Sequence, residues 1–523
     1  MGKIVVKKFI NHMLKVLFLT ILILCTYSYI EKHSLIQQVE KWVNDTANQY
    51  LNPKDQKTGS DSLSEFMTRF KTSAKKSSSV LLNSSAVNST AATETRENTS
   101  KANDSQESTQ TEDISAGTNH SLLNYRAVWL SYIEFTEYLE SVEENTEKNF
   151  RDFYNRVADR AKEAGMTHII VQVRPFGDAL YPSKIFPWSS CISGVQGKNP
   201  GYDPLKIMVE ITHKKGLSIE AWINPYRILS STDTSVLAAR NPALIWMKSK
   251  SKTVRGRVIK FNGALYYNPS RASVRNLITE GIREIINNYQ VDGIHMDDYF
   301  YPDFKPEQAV SSFDIADYRN YISYSSNKHH SCRSGKDTIF EWRRNNVNML
   351  VSKIYQTIKA KDPNIAFGIS PNGNLEDLRS NYQYYTDIDR WISEPGYVDY
   401  LTPQLYWGYF NEYSPYRQLL GQWVDLMKDS QVKLYIGLPL YRMATVNPES
   451  FDSFEFSHAK LFSFMLNDIK NAARVNGITL FSYEYLDPDS KWYNYQSTTY
   501  DENKKKILRE VFQIIKNMDW NTG

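Results

Sequence analysis

From Arg126 onward the chain alternates short apolar runs with longer amphipathic stretches. The runs cover 127–130, 168–173, 217–223, 293–296, 365–369, 398–402, 434–438 and 478–482. Each is brief, rich in β-branched, aliphatic and aromatic residues, and bounded by polar positions, as strands buried on both faces are. Longer stretches of helical spacing lie between most of them, for example 274–289 and 341–359. Eight strand–helix units in roughly 400 residues predict an α/β fold, a (β/α)8 TIM barrel with elaborated loops. The alternative, a doubly wound open sheet, lacks support because no Gly-x-Gly-x-x-Gly turn follows an early strand.

The pattern is different upstream. Lys3, Lys7, Lys8 and Lys15 precede an apolar stretch running from Met13 to Ile30, which Glu31 and Lys32 stop. That is close to the roughly 20 residues that span a bilayer, and the basic flank sets the rest of the chain outside the membrane. Thr26-Tyr27-Ser28 is a poor small-residue cleavage site, and Ile23-Leu24 before Cys25 is a poor lipoprotein site. Residues 1–33 are therefore expected to form an uncleaved, single-pass signal anchor, with secretion after cleavage as the alternative. Residues 34–52 carry only a weak helical pattern, and the tract to Leu122 is dominated by Ser, Thr and Asn. Such a segment buries too little apolar area to offset its ordering entropy, so 34–121 reads as a disordered tether ahead of a domain over 122–520.

The charge balance, 62 basic against 58 acidic residues for a net +4, leaves no basic stripe for nucleic acid. Three cysteines exclude a disulfide framework; Cys191 and Cys332 leave one bridge open, with two free thiols the expectation. The first strand ends in Trp129-Leu130-Ser131 rather than His-x-His, and His329-His330 has no ligand partners nearby in sequence, so no metal or other cofactor is expected. No Gly-x-Ser-x-Gly elbow is present either.

The most informative run is 291–302, where Val291-Asp292-Gly293-Ile294-His295-Met296 leads into Asp297-Asp298 and then Tyr299-Phe300-Tyr301-Pro302. A buried strand gains nothing from ending in two ionisable carboxylates, because desolvating them is costly. Aspartates there can cap a helix, the plainer reading. Sugar-cleaving enzymes instead use carboxylates as nucleophile, acid or base, with flat aromatic faces to hold the rings. Active sites of such barrels lie at the C-terminal ends of the strands. Those ends supply Arg174 and Asp178, then Asn224, Tyr226 and Arg227, then the doublet with Tyr299, then Asn372. Gln404, Tyr406 and Trp407 follow, then Arg442, and finally Glu484.

Several of these stretches, in fixed order, carry a resemblance. They are Pro225-Tyr226-Arg227, the run 291–302, Glu341-Trp342-Arg343-Arg344, Phe367-Gly368-Ile369-Ser370-Pro371 and Pro403-Gln404-Leu405-Tyr406-Trp407. From Arg126 to about Asn517 the chain resembles glycoside-hydrolase-like family 10. The resemblance implies a TIM barrel acting on glycans, with bacterial peptidoglycan strands stripped of their peptides as the substrate. Everything before Arg126 lies outside it.

Strand alternation puts Gly293, His295 and Asp297 on one face and Ile294, Met296 and Asp298 on the other. Asp297 is then expected to face the barrel mouth as nucleophile or transition-state stabiliser, with Asp298 the competing choice. The run also echoes the chitinase pattern Asp-Gly-x-Asp-x-Asp-x-Glu, but His295 replaces the middle aspartate and Tyr299 the acid. The acid must come from elsewhere, and Glu484 fits by position, with Asp178 competing. Glu220, deeper on its strand, reads as a buried partner of an arginine. Arg174, Arg227 and Arg442 suit substrate oxygens or orientation of the aspartates; Tyr226, Tyr299, Tyr406 and Trp407 suit sugar platforms; His295 suits a wall position. The expectation is an extracytoplasmic hydrolase of a cell-wall glycan. Its rivals are a non-catalytic wall-glycan-binding barrel and an enzyme acting on secreted or host polysaccharide.

Overall fold

The computed structural model describes residues 123–327, 338–444, 455–492 and 502–520. The expected anchor, the expected tether, Cys332 and His329-His330 lie outside these residues. Among the described residues no helix is long and apolar enough to cross a membrane.

Among the described residues there are eleven strands: β1 (Tyr125–Leu130), β2 (His168–Arg174), β3 (Ser218–Ile223), β4 (Arg227–Leu229), β5 (Val258–Phe261), β6 (Ala264–Tyr267), β7 (Gly293–Asp297), β8 (Ala366–Ser370), β9 (Tyr400–Leu401), β10 (Lys433–Pro439) and β11 (Val475–Phe481). Eight of them close into a barrel in the order β1-β11-β10-β9-β8-β7-β3-β2. Every pairing around the barrel is parallel. These are the eight strands that the apolar runs predict, and the expected (β/α)8 barrel is what forms.

The helices follow their sequence patterns. In Glu147–Glu163 the buried positions Phe150, Phe153, Tyr154, Val157, Ala158 and Ala161 recur at three- and four-residue spacing, so one stripe covers the barrel. Thr146 accepts from the Asn149 N–H at its start. Helix Ile339–Lys361 begins with a capping box between Thr338 and Glu341.

The pattern does not predict the antiparallel sheet β4-β6-β5 inserted between β3 and β7. Its strands span only three or four residues, too few for alternation to register. A local signal was nonetheless there. Asn262 and Gly263 both adopt positive φ, 44° and 79°, at the tight turn joining β5 to β6.

Large side chains fill the barrel interior. Tyr125, Ala127, Trp129, Ile170 and Trp222 form a buried cluster, with Tyr435 and Phe481 against it. Two glycines make that possible. A Cβ on Gly368 would fall 1.9 Å from the Tyr400 ring, and one on Gly293 would fall 2.8 Å from the Glu220 side chain. Glu220 is buried as expected, but its partners are tyrosines rather than an arginine. Tyr125 donates to Oε1 at 2.8 Å and Tyr400 to Oε2. Burial pushes its carboxyl up to about 7, against the pull of those two hydroxyls.

The Glu341-Trp342-Arg343-Arg344 motif proves architectural. Arg343 is fully buried, bonded to Asp314 through Nε at 2.9 Å and Nη2 at 2.7 Å and to the Tyr385 hydroxyl at 2.8 Å. Asp314 also accepts from the Tyr301 hydroxyl at 2.9 Å, so the pair ties down the segment that follows β7. Cys191 is a free, buried thiol.

Candidate active site

β7 pairs with β3 through Trp222 and His295, and with β8 through Asp297 and Ser370. Asp297 accepts at Oδ2 from the Trp222 indole N–H, 3.2 Å away, and at Oδ1 from the Tyr299 N–H, 3.4 Å away. Trp222 belongs to the interior cluster, so Asp297 sits on the interior-facing side of its strand. Asp298 turns the other way and accepts the Asn372 N–H at 2.7 Å. The two residues are 3% and 2% exposed. Burial raises the Asp297 carboxyl to about 7, with the Arg227 charge opposing it. Burial raises Asp298 to about 8; the Asn372 N–H opposes this and the charge of Asp297 adds to it. Two adjacent carboxyls are thereby poised to hold or release a proton near neutrality.

Beneath them lies a directed hydrogen-bond chain. Trp129 donates its indole N–H to His295 Nε2 at 3.2 Å, and His295 Nδ1 is 2.8 Å from the Tyr400 hydroxyl. Because Nε2 accepts, the proton belongs on Nδ1 and points at Tyr400, whose own hydroxyl donates to Glu220. Burial pulls the imidazole down to about 3, so His295 is neutral. It is the wall residue the strand pattern suggests.

The rim is aromatic. Tyr299, 45% exposed, meets Tyr384 edge-on with centroids 5.6 Å apart. Tyr406 lies 5.8 Å from Tyr441 and 6.1 Å from Phe481. Trp407 packs over Gly373. Gln404 donates to the Ser370 carbonyl at 3.1 Å, and Arg442 to the Tyr406 carbonyl at 2.8 Å, which fixes two of the loops. Arg227 reaches over the rings of Phe176, Tyr132 and Tyr299. Asn224 is buried, and neither of its side-chain polar atoms has a hydrogen-bond partner. The Asn372 side chain accepts from the Asn374 N–H at 2.8 Å, while its backbone holds Asp298.

Four positions differ from expectation. Arg174 is buried under the loops, donating from Nη2 to the carbonyls of Asn224 and Pro225 at 3.0 and 2.8 Å; it shapes the turn after β3 and does not face the mouth. Tyr226 is fully buried with its ring near Phe300, so it is no sugar platform. Glu484, in a short helix after β11, neighbours two further carboxyls, Glu134 and Glu137. Its backbone N–H donates to Glu134 Oε1 at 3.4 Å, and burial, then the charges of Glu137 and Glu134, push its carboxyl up to about 9. Asp178 is buried too, held by Gln196 at 3.4 Å and raised by burial to about 6. Sequence reading passed over Trp222, Phe176 and Tyr384. Trp222 could have been found, since it shares a strand face with Asn224 and pairs across to the His295 strand.

Among the described residues no group of three His, Cys, Asp or Glu is placed to hold a metal ion. An acidic doublet at the end of the fourth barrel strand, ringed by tyrosines, is the arrangement of a carbohydrate-handling barrel. Residues 124–453 match the family described as Glycosyl hydrolase-like 10, and the chain belongs to that family. Glycosyl hydrolase YngK of Bacillus subtilis (strain 168) is 37% identical over 335 residues, 61% of each chain. Glycosyl hydrolase DigH of Escherichia coli (strain K12) is 34% identical over 298 residues, 54% of this chain and 64% of its own. The chain thus spans a little over three-fifths of the curated relatives it matches. The glycoside hydrolase domain of PgaB from Bordetella bronchiseptica aligns with a TM-score of 0.41 at 11% identity, covering 70% of this chain and 96% of that one, a loose likeness.

Proposed function

We propose that this chain is a glycoside hydrolase that cuts a cell-wall glycan, peptidoglycan strands in particular, outside the membrane to which residues 1–33 tether it. The observation that carries the reading is the Asp297–Asp298 doublet, with carboxyls raised to about 7 and 8 at the foot of an aromatic rim. A protonated carboxyl gives its proton to the glycosidic oxygen, the bond to the anomeric carbon breaks as positive charge grows on the sugar ring, and water then bonds to that carbon and returns a proton to a carboxylate. Asp297, on the interior face and fixed by Trp222, is the group to meet that charge. Glu484, raised to about 9 and so protonated at neutral pH, remains a candidate donor by its state, though its neighbours are Glu134 and Glu137. A chitinase-type substrate-assisted route is not proposed, because Tyr299 stands where its acid would be. Membrane tethering rests on the basic and apolar N-terminal pattern.

The second reading is a barrel that binds wall glycan without cutting it. The near-complete burial of the doublet favours it, since a catalytic carboxylate must reach the sugar. Release of reducing ends from purified wall glycan decides between the two. Hydrolysis by the wild type that Asp297→Asn and Asp298→Asn each lower by at least about 100-fold supports the enzyme. Tight binding without any new reducing ends supports the binding protein. A panel including secreted and host polysaccharides separates the wall from other substrates.

A further inference from the structure

We infer that Arg227 is a receptor for a carboxylate carried by the glycan, so that the site selects sugars bearing a free acid group. The inference deepens the glycan reading above and rests on it. Arg227 opens β4 immediately after the turn that ends β3, and its backbone is pinned by pairing with Tyr266. Its guanidinium carbon lies 4.7 Å from the centroid of Phe176, 5.8 Å from Tyr132 and 6.0 Å from Tyr299. These rings come from the segments after β2, β1 and β7, Tyr132 opening the helix that follows β1, so the cation stands at the mouth above three strands. Aromatic faces attract it and hold its plane, but they leave its fork of N–H donors without an acceptor.

No partner fills that role among the described residues. Nε is buried with no hydrogen bond. Asp297 is near enough for the Arg227 charge to act on it, but no hydrogen bond or close ion pair joins the two. Arg174 also keeps Nε and Nη1 without partners but donates from Nη2 to two carbonyls, Arg343 is paired with Asp314, and Arg442, also near the mouth, donates to Tyr406, whereas Arg227 has no acceptor at all among the described residues. A cation half withdrawn from water without an acceptor is costly unless a ligand supplies one. A carboxylate matches the guanidinium fork with two parallel bonds, whereas a sugar hydroxyl engages one donor at a time.

The test compares two substrates: wall glycan strands freed of their peptides, and the same strands with their carboxylates reduced to alcohols. Wild-type kcat/KM should fall on the order of 10- to 100-fold on the reduced strands. Arg227→Ala should lose a comparable factor on native strands and a far smaller one on reduced strands, with Arg227→Lys in between and melting temperatures confirming that both fold. Equal wild-type rates on the two strands overturn the assignment. So does an Arg227→Ala loss of equal size on both, which would make the residue a positioning group for Asp297. If neither strand yields reducing ends, the hydrolase reading falls, and calorimetric affinities carry the same comparison: tighter binding of native strands upholds the receptor, and equal binding overturns it.

Discussion

The indole N–H of Trp222 points at Oδ2 of Asp297 across 3.2 Å, joining the third barrel strand to the fourth at the level of the doublet. The bond favours the ionised carboxylate and so works against the burial that raises this group to about 7. Trp222→Phe keeps an aromatic side chain and removes the donor. The Asp297 carboxyl should then rise further. If catalysis needs it ionised, the acid limb of the pH–rate profile should move to higher pH and the rate at pH 7 should drop by about 10-fold. A profile that stays in place would show that Asp297 is not the group that titrates in catalysis.

Tyr400 both accepts from His295 and donates to Glu220. Tyr400→Phe therefore leaves the Nδ1 proton without an acceptor and Glu220 with only the Tyr125 hydroxyl. Each stranded buried group costs about 1–3 kcal/mol, so the midpoint of urea unfolding should fall clearly. The Glu220 carboxyl, which this hydroxyl pulls down, should rise above about 7. An unchanged midpoint would mean that water restores the missing contacts.

The barrel itself was legible because eight runs of buried, β-branched residues cannot be hidden by loop variation. The inward face of β7 was legible too, since alternation has only two phases and Ile294 and Met296 fix which is which. Direction beyond the strand end was not. Arg174 closes β2 where a register shift between Gln172 and Arg174 breaks the alternation, and Glu484 lies in a short helix after β11, so strand periodicity aims neither. Tyr226 and Tyr299 look alike in sequence for the same reason, but one is buried and the other is 45% exposed. Trp222 is the opposite case: it was passed over although alternation sets it on one face with Glu220 and Asn224, and only its bond to Asp297 required the structure.

Arg343 and Asp314 are each withdrawn fully from solvent and bonded to one another. Arg343→Met strands Asp314 with the Tyr301 hydroxyl as its remaining side-chain partner. Breaking such a pair from one side costs about 3–5 kcal/mol, while replacing both members with apolar groups costs far less. Denaturant unfolding should show a large loss for Arg343→Met and substantial recovery in the double variant Arg343→Met, Asp314→Leu. Because the pair anchors the segment after β7, activity should fall with the single change even at temperatures where the fold survives. Equal stability of single and double variants would refute the pairing argument.

The doublet itself should cost the fold stability, and the cost should depend on pH in a definite direction. An unfolded aspartate loses its proton near pH 4, whereas Asp297 and Asp298 hold theirs until about 7 and 8. Below pH 4 both states are protonated and neither residue carries a penalty. Between pH 4 and the folded values the native state binds more protons than the unfolded one, so stability declines as pH rises, and the decline stops once the folded groups ionise. Asp297→Asn and Asp298→Asn remove the titrating group while keeping its shape. Their melting temperatures should match the wild type near pH 4 and exceed it by about 2 °C or more at pH 8, as glycan hydrolysis is lost. Calorimetry across that range reads the difference directly. A gap that stays flat with pH, or that widens towards acid, would mean the carboxyls are already ionised in the folded protein and are held by partners rather than raised by burial.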